Sequence, residues 1–346
     1  MKILNSHQHL SDHAVGGKFA KQSAMIKAGI PVPEFFCLSK AFYESVWVGV
    51  EENVKAKLNQ IDFSDQKSIK KIAGEIEDIF NGIQLSAEDK ALILEQFDAH
   101  FDSSSLVSVR ASTVGKKIEE SEDSADNPFA GMSESFLYVP RDQVIEKVKQ
   151  CWASGFSEES LMYRYAQGFD LTGFSVAVGI QRMVMGTKSF VMFTCDPKTA
   201  AKDSVIVGGY GIGEGVVQES VPVDHYFVSA KGGDITRDIA KKDSQLTLDA
   251  SKGHGLIKAL VPQDLQNQSC LSDAEIARMV ELGDKIESLF GCPQDTEGCF
   301  TEDGKSYFLQ SRPIALDYTR QLVFSNANVT ESFPGVTTAL TYTFAK

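Results

Sequence analysis

A mixed α+β fold is what this sequence predicts, on three observations. Apolar residues recur at helical spacing in several segments, for example Ile69, Ile72, Ile76, Ile79 and Phe80. Short apolar runs of strand length, at 174–184, 189–194 and 204–208, follow one another closely elsewhere. The two kinds of segment are interspersed, with several strands adjacent, which suits an α+β or α/β class.

The elements follow in order. Residues 18–28 read as a helix with Gly29 as its C′ stop, followed by the breaker Pro31-Val32-Pro33. Two amphipathic helices contain Ile69 to Phe80 and Leu92 to Phe97. Residues 106–111 form a short strand, and the polar, acidic stretch 113–128 has no period and reads as a loop. A helix covers 142–154 through Val144, Ile145, Val148, Cys151 and Trp152. The three strands named above follow, then a glycine loop from Gly208 to Gly215. Ile276, Met279, Val280, Ile286 and Leu289 mark a further helix, and a strand at 306–312 closes the block. Residues 321–346 read as extended and turn segments without a core of their own. The abrupt stop at Lys346 is expected of a fragment of a longer polypeptide.

At 346 residues and 42% hydrophobic, the chain can build one large domain or two to three smaller ones. A net charge of −13 argues against broad nucleic-acid or anionic-membrane binding, which needs a basic face, but leaves room for a small basic pocket. No apolar run approaches a membrane span, and the N-terminus Met1 to His7 lacks a signal-peptide core, so a cytoplasmic location is expected. The six cysteines show no C-x-x-C spacing, which indicates neither a zinc site nor a disulfide framework.

The chemistry concentrates in two distant strands. Ser108-Val109-Arg110-Ala111-Ser112 and Tyr307-Phe308-Leu309-Gln310-Ser311-Arg312-Pro313 each carry an arginine near their end. Residues two apart on a strand share a face, so Gln310 and Arg312 point one way and Leu309 and Ser311 the other. Arginine forks bind phosphate, and an amide oxygen can ligate a hard cation, so the pair of strands suggests a polyphosphate and its metal. Glu297 precedes the Gln310 strand closely enough to share a neighbouring strand and offer a carboxylate to Mg²⁺, although composition alone favours a hairpin with exposed acids. Gly16-Gly17-Lys18 opens the first helix, where backbone amides and a lysine attract anions; alone it also suits a surface lysine after a turn. Phe129-Ala130-Gly131 and the segment Ser133 to Leu137, which includes Ser135, suit either a small-residue turn through which backbone could approach phosphate or, equally, a plain turn. Gly208 to Gly215, with five glycines in eight residues, is neither a Walker loop nor a dinucleotide fingerprint; it either places Glu214 near a ligand or is a tight turn. His7, His9 and His13 read as an exposed N-terminal segment rather than a metal site.

Taken in order, these motifs resemble the N-terminal nucleotide-binding domain of the phosphoenolpyruvate synthase, pyruvate phosphate dikinase and rifampin phosphotransferase family. The resemblance spans roughly residues 14–316. It also takes in Ala28-Gly29-Ile30-Pro31-Val32-Pro33, Cys151-Trp152-Ala153-Ser154, Gln181-Arg182-Met183-Val184, Met192-Phe193-Thr194 and Pro293-Gln294-Asp295. It implies an ATP-grasp fold, two α/β lobes with ATP between them. The division expected is one ATP-grasp unit over 1–320, with lobes at 1–170 and 171–320, and 321–346 leading to a further domain. It implies that Lys18 and Arg110 contact phosphates, that Glu297 and Gln310 hold Mg²⁺, and that Arg312 neutralises the transferring group. The backbone of Gln181 to Val184, Met183 included, would run beside adenine, and Glu214 would meet the ribose or adenine side. Gly131 and Ser135 would lie on the phosphate side.

Family members split ATP into AMP, phosphate and a phosphohistidine carried on a separate swivelling domain, which then visits an acceptor domain. The glycine-threonine-serine motif before that histidine does not occur here, and His225 and His254 stand in other contexts. The chain is therefore expected to bind ATP and Mg²⁺ and to depend on downstream phosphohistidine and acceptor domains. Met132, Tyr138, Gly298 and Cys299 depart from the family pattern, and the 113–128 stretch is longer than usual. The 326–337 segment looks closer to the antibiotic phosphotransferase branch, so an antibiotic or natural-product acceptor is expected. Pyruvate, a prodigiosin-type condensation and a non-catalytic nucleotide sensor are the alternatives.

Overall fold

Two antiparallel sheets, one from each half of the chain, carry the architecture. The computed structural model describes residues 1–115, 133–230, 233–249, 251–252 and 255–314. Gly131, the turn that contains it, and residues 321–346 lie outside the described residues.

The N-terminal half contains β1 (Ile3–Asn5), α1 (Asp12–Lys27), β2 (Phe35–Leu38), α2 (Lys40–Trp47), α3 (Glu51–Leu58), α4 (Gln66–Asn81), α5 (Ala87–His100), β3 (Val107–Gly115), β4 (Ser135–Val139), α6 (Val144–Ser154), α7 (Glu158–Gln167) and β5 (Phe174–Arg182). Its sheet has the order β1-β2-β5-β3-β4, with every neighbour antiparallel. Strand β5 shows why the sheet is covered on both faces. Phe174, Val176, Val178 and Ile180 pack with Ile72, Ile76, Phe80 and Trp152 of the helical layer. Ala177 and Gly179 face α1: Ala177 packs with Val15 and Phe19, and a Cβ on Gly179 would sit 1.9 Å from the Phe19 ring. The alternation follows from the two-residue period of a strand. Helix α4 buries Ile69, Ile72, Ile76 and Phe80 on one stripe, and the Asp65 carboxylate caps it by accepting from the Lys67 amide.

The C-terminal half contains β6 (Gly186–Phe193), β7 (Ser204–Tyr210), α8 (Gly213–Val217), β8 (Asp224–Val228), β9 (Ile235–Asp238), β10 (Ser244–Leu248), β11 (Leu256–Leu260), α9 (Asp273–Phe290), β12 (Gln294–Thr301) and β13 (Ser306–Pro313). Six of these strands form a sheet in the order β13-β12-β6-β7-β8-β9, while β10 and β11 pair as a separate hairpin. Helix α9 starts at a capping box between Ser272 and Glu275 and ends at Gly291 in the left-handed conformation. Its Ile276, Met279, Leu282 and Ile286 share a core with Phe190, Met192, Ile206 and Phe308.

Helix α1 joins the halves. Its Val15 and Phe19 belong to the first sheet's core, and its Met25 to the second. The sequence reading starts this helix at 18; the structure begins it at Asp12 and kinks it at Gly16, whose φ of 75° and ψ of 163° are not helical. A Cβ there would lie 2.1 Å from Ser112 Oγ, so both the turn and the close approach of β3 require glycine.

Other expectations shift. Strand β3 runs on to Gly115, into the stretch read as loop, because Ser112 to Gly115 pair with Phe174 to Ala177 of β5. The expected glycine loop is instead the end of β7 and the start of α8, with Gly211 at φ 83° between them. A Cβ on Gly211 would lie 2.2 Å from the Leu246 carbonyl oxygen. The chain passes from the first sheet to the second after Arg182, later than the division expected at 170, because β5 pairs with β2 and β3. No helix among the described residues is long and apolar enough to cross a membrane.

Candidate functional site

A cleft of about 640 Å³ opens between the two sheets, the size of a small-molecule site. Lys18, Arg110, Ser135, Gln181, Met183, Val184, Glu214, Glu297, Gln310 and Arg312 all line it.

The β12–β13 hairpin supplies the acidic and amide groups. Its register pairs Glu297 with Gln310 and Asp295 with Arg312, so the four side chains share one face. Arg312 Nε donates to Asp295 Oδ2 at 2.6 Å. Asp295 is 6% exposed, and its Oδ1 is buried without a hydrogen-bond partner. Desolvation raises the Asp295 carboxyl and the Arg312 charge lowers it, with a net upward shift. Desolvation also pushes the Glu297 carboxyl up, against the pull of Arg110, Arg312 and Lys18, while Asp295 adds to the rise.

The register slips by one residue after Glu297, where Gly298 pairs with Phe308, leaving Leu309 as the unpaired bulge residue. Its carbonyl turns to the other half of the molecule and accepts from Arg110 Nη1 at 2.9 Å and from Gln22 Nε2 at 2.8 Å. Arg110 Nη2 donates to Gln310 Oε1 at 2.8 Å. Lys18 is 4% exposed, and its Nζ donates to the Ala111 carbonyl at 2.8 Å.

The opposite wall is the segment that leaves β5. The Gln181 side chain is buried and tied to Gln22 Oε1 at 2.6 Å, and its backbone lies in β5 between Phe35 of β2 and Ser108 of β3. The Met183 amide donates to the Leu106 carbonyl at 3.1 Å. The Met183 amide is thus already held by the residue before β3. Glu214 stands in the first turn of α8, its carboxyl raised by desolvation and then by the Glu134 charge.

With this geometry in view, the sequence matches the family described as "Pyruvate phosphate dikinase, AMP/ATP-binding domain" over residues 12–328. The chain belongs to that family. It is 34% identical over 307 residues to a protein named "Probable phosphoenolpyruvate synthase" from Methanothermobacter thermautotrophicus, covering 86% of this chain and 43% of that one. It is 30% identical over 310 residues to the "Rifampicin phosphotransferase" of Bacillus cereus, covering 88% of this chain and 34% of that one. The chain thus spans less than half the length of these relatives. A solved D-alanyl-alanine synthetase A from Vibrio cholerae overlaps 87% of this chain and 58% of its own at a TM-score of only 0.33 and 9% identity.

Three residues in or behind this ATP-binding domain's cleft escape the sequence reading: Glu134 lines it, and Asp295 and Gln22 hold residues that do. Asp295 lies two positions before Glu297 on the same face, a spacing that could have been read. Glu134 lines the cleft beside Ser135, and its charge helps raise the Glu214 carboxyl, a nearness that only the fold creates. Gln22 sits one helical turn after Lys18 with no local signal to separate it from a surface glutamine, yet it is fully buried.

Proposed function

We propose that this domain binds ATP in the cleft, with the phosphates among Lys18, Arg110 and Arg312 and a Mg²⁺ ion held by Glu297 and Gln310. What carries this reading is the meeting of groups from two sheets: Lys18, Arg110 and Arg312 line one cleft with Glu297, and Arg110 already reaches the Gln310 amide oxygen that pairs with it. The donor set suits Mg²⁺ bound together with a nucleotide. Glu297 and Gln310 face one another as strand partners, and no cluster of three or more His, Cys, Asp or Glu side chains forms a metal cage among the described residues. Mg²⁺ commonly takes one or two protein oxygens and completes its shell with phosphate and water. When bound, the ion would neutralise charge on the β- and γ-phosphates.

The chain's own residues do the rest. Arg312, oriented by Asp295, opposes charge on the transferring phosphoryl group. Arg110 and Lys18 hold phosphate oxygens, with Ser135 lining the same cleft. The Val184 amide and the carbonyls of 181–184 run along the base, and Glu214 meets the ribose. Phosphoryl transfer depends on positioned cations more than on a covalent protein group, which suits this set.

In the whole polypeptide the domain would convert ATP to AMP and phosphate while charging a histidine on a further domain, with residues 1–320 as the ATP-grasp unit and 321–346 leading onward. The relative named phosphoenolpyruvate synthase, at 34% identity, supports pyruvate as acceptor; the rifampicin phosphotransferase, at 30%, supports an antibiotic hydroxyl. All six cysteines are free, which supports a reducing, cytoplasmic setting.

The test is calorimetric titration of this chain with ATP, with and without Mg²⁺, beside Glu297→Ala. Saturable binding that strengthens with Mg²⁺ in the wild type but not in the variant is expected. Equal binding by both would sink the metal assignment. AMP release by the whole polypeptide in the presence of pyruvate or of rifampicin then separates the acceptors.

A further inference from the structure

A chain of buried amides crosses the molecule beneath the cleft. The Pro33 carbonyl accepts from Gln181 Nε2 at 3.2 Å, and the same nitrogen donates to Gln22 Oε1 at 2.6 Å. Gln22 Nε2 donates to the Leu309 carbonyl at 2.8 Å, where Arg110 Nη1 also arrives, and Arg110 continues to Gln310 Oε1. Gln22 is 0% exposed and Gln181 is 1% exposed. The orientation of both amides is determined, because a carbonyl at each end can only accept.

The chain ties together three elements at the level of the site: β5 at the base-side wall, α1 that carries Lys18, and the bulge in β13 that presents Gln310. We infer that Gln22 is a positioning residue for metal-assisted nucleotide binding. It holds the Leu309 bulge against the N-terminal half, and so sets where Gln310 and Glu297 stand relative to the phosphates. This rests on the nucleotide reading of the cleft and adds to it a residue that touches neither ATP nor Mg²⁺. The position can be probed without unfolding the chain. With Gln22 shortened to an apolar side chain, the Leu309 carbonyl keeps its bond from Arg110, and Gln181 Nε2 keeps its bond to Pro33.

The experiment titrates wild-type, Gln22→Leu and Gln22→Glu chains with ATP, with and without Mg²⁺, at several pH values. For Gln22→Leu, the expected Kd for ATP with Mg²⁺ rises about five- to tenfold, the effect of one buried hydrogen bond, and moves much less without Mg²⁺. For Gln22→Glu, the carboxylate faces the Leu309 carbonyl at high pH and weakens binding. At low pH the neutral acid regains a donor, so the ratio of variant to wild-type Kd falls toward one. Equal weakening with and without metal, or an unchanged Gln22→Leu together with a pH-independent Gln22→Glu, overturns the assignment. Wild-type chain that shows no Mg²⁺-dependent binding overturns the nucleotide reading itself.

Discussion

Arg110 and Gln310, two hundred positions apart in the chain, meet across the cleft through a 2.8 Å hydrogen bond from Nη2 to Oε1. The oxygen that Arg110 occupies is the one proposed for Mg²⁺. Lys18 is likewise bonded to the Ala111 carbonyl, and Arg312 to Asp295. Cations and acceptors of the cleft therefore satisfy one another before any ligand arrives. A metal proposed at Gln310 would compete with Arg110 for that oxygen, and nucleotide phosphates are an anion that would draw Arg110 away.

Mg²⁺ alone is accordingly expected to bind poorly. Titration of the nucleotide-free chain should give no saturable heat at metal concentrations that strengthen ATP binding severalfold. Tight binding of Mg²⁺ without nucleotide would contradict the competition between Arg110 and the metal.

Removal of the two arginines should separate binding from stability. Arg110→Ala and Arg312→Ala should each weaken ATP binding roughly ten- to hundredfold, the loss of a charge-assisted contact. Arg312→Ala should also lower stability by about 1–3 kcal/mol, because it leaves the Asp295 carboxylate buried without its cation. The folded carboxyl of Asp295 is already raised by burial. A raised folded value means stability is lost as pH climbs above the ordinary carboxylate range, so the deficit of Arg312→Ala should be largest at neutral pH and shrink in acid. Asp295→Asn in the same chain should restore stability and not binding. Urea unfolding at pH 5 and pH 7.5, with ATP titrations, checks each arm.

How much of this is legible in the sequence differs residue by residue. Arg110, Gln310 and Arg312 stand out because strand periodicity tells which of them share a face, and that depends only on local geometry. Glu297 and Gln310 become exact cross-strand partners only through a bulge that ejects Leu309, and no residue type announces that bulge. The pairing of β5 with β2 and β3 is hidden for the same reason: its uniformly apolar run says that both faces are buried but not which neighbours bury them. Gln22 is invisible because its amide finds partners at positions 181 and 309, far along the chain.

Glu297→Gln should act in opposite directions on stability and on metal dependence. Its folded carboxyl is raised, chiefly by desolvation, so the charged form costs stability as pH rises above the ordinary value. A neutral amide removes that cost, and the ligand-free variant should melt higher than wild type at pH 7.5, the gap closing toward acid pH. The same change should cut the Mg²⁺-dependent part of ATP affinity about tenfold or more. In the wild type, that part should fade as pH drops, beginning above the range of an ordinary glutamate. Melting curves and calorimetry on one preparation check both, and a variant that melts lower would show that the surrounding cations outweigh desolvation.

Two glycines should respond oppositely to alanine. Gly16 has a φ of 75°, and an added Cβ would meet Ser112 Oγ at 2.1 Å, so Gly16→Ala combines backbone strain with a clash against β3. A loss of about 1–3 kcal/mol is expected. Gly74 lies inside α4, exposed, with no atom within 4 Å of its added Cβ. Gly74→Ala should stabilise by about 0.5–1 kcal/mol, because alanine loses less backbone freedom on entering a helix. The two also part in function. Gly16 sits two residues before Lys18, whose Nζ is bound to the strand that Ser112 belongs to, so movement there should carry Lys18 away from the phosphates and weaken ATP binding. Gly74 lies in a helix that does not line the cleft, and its variant should bind ATP as wild type does. Urea unfolding with ATP titration of both variants tests the pair. A Gly16→Ala chain with wild-type stability and affinity would mean that the kink in α1 is incidental to how Lys18 is held.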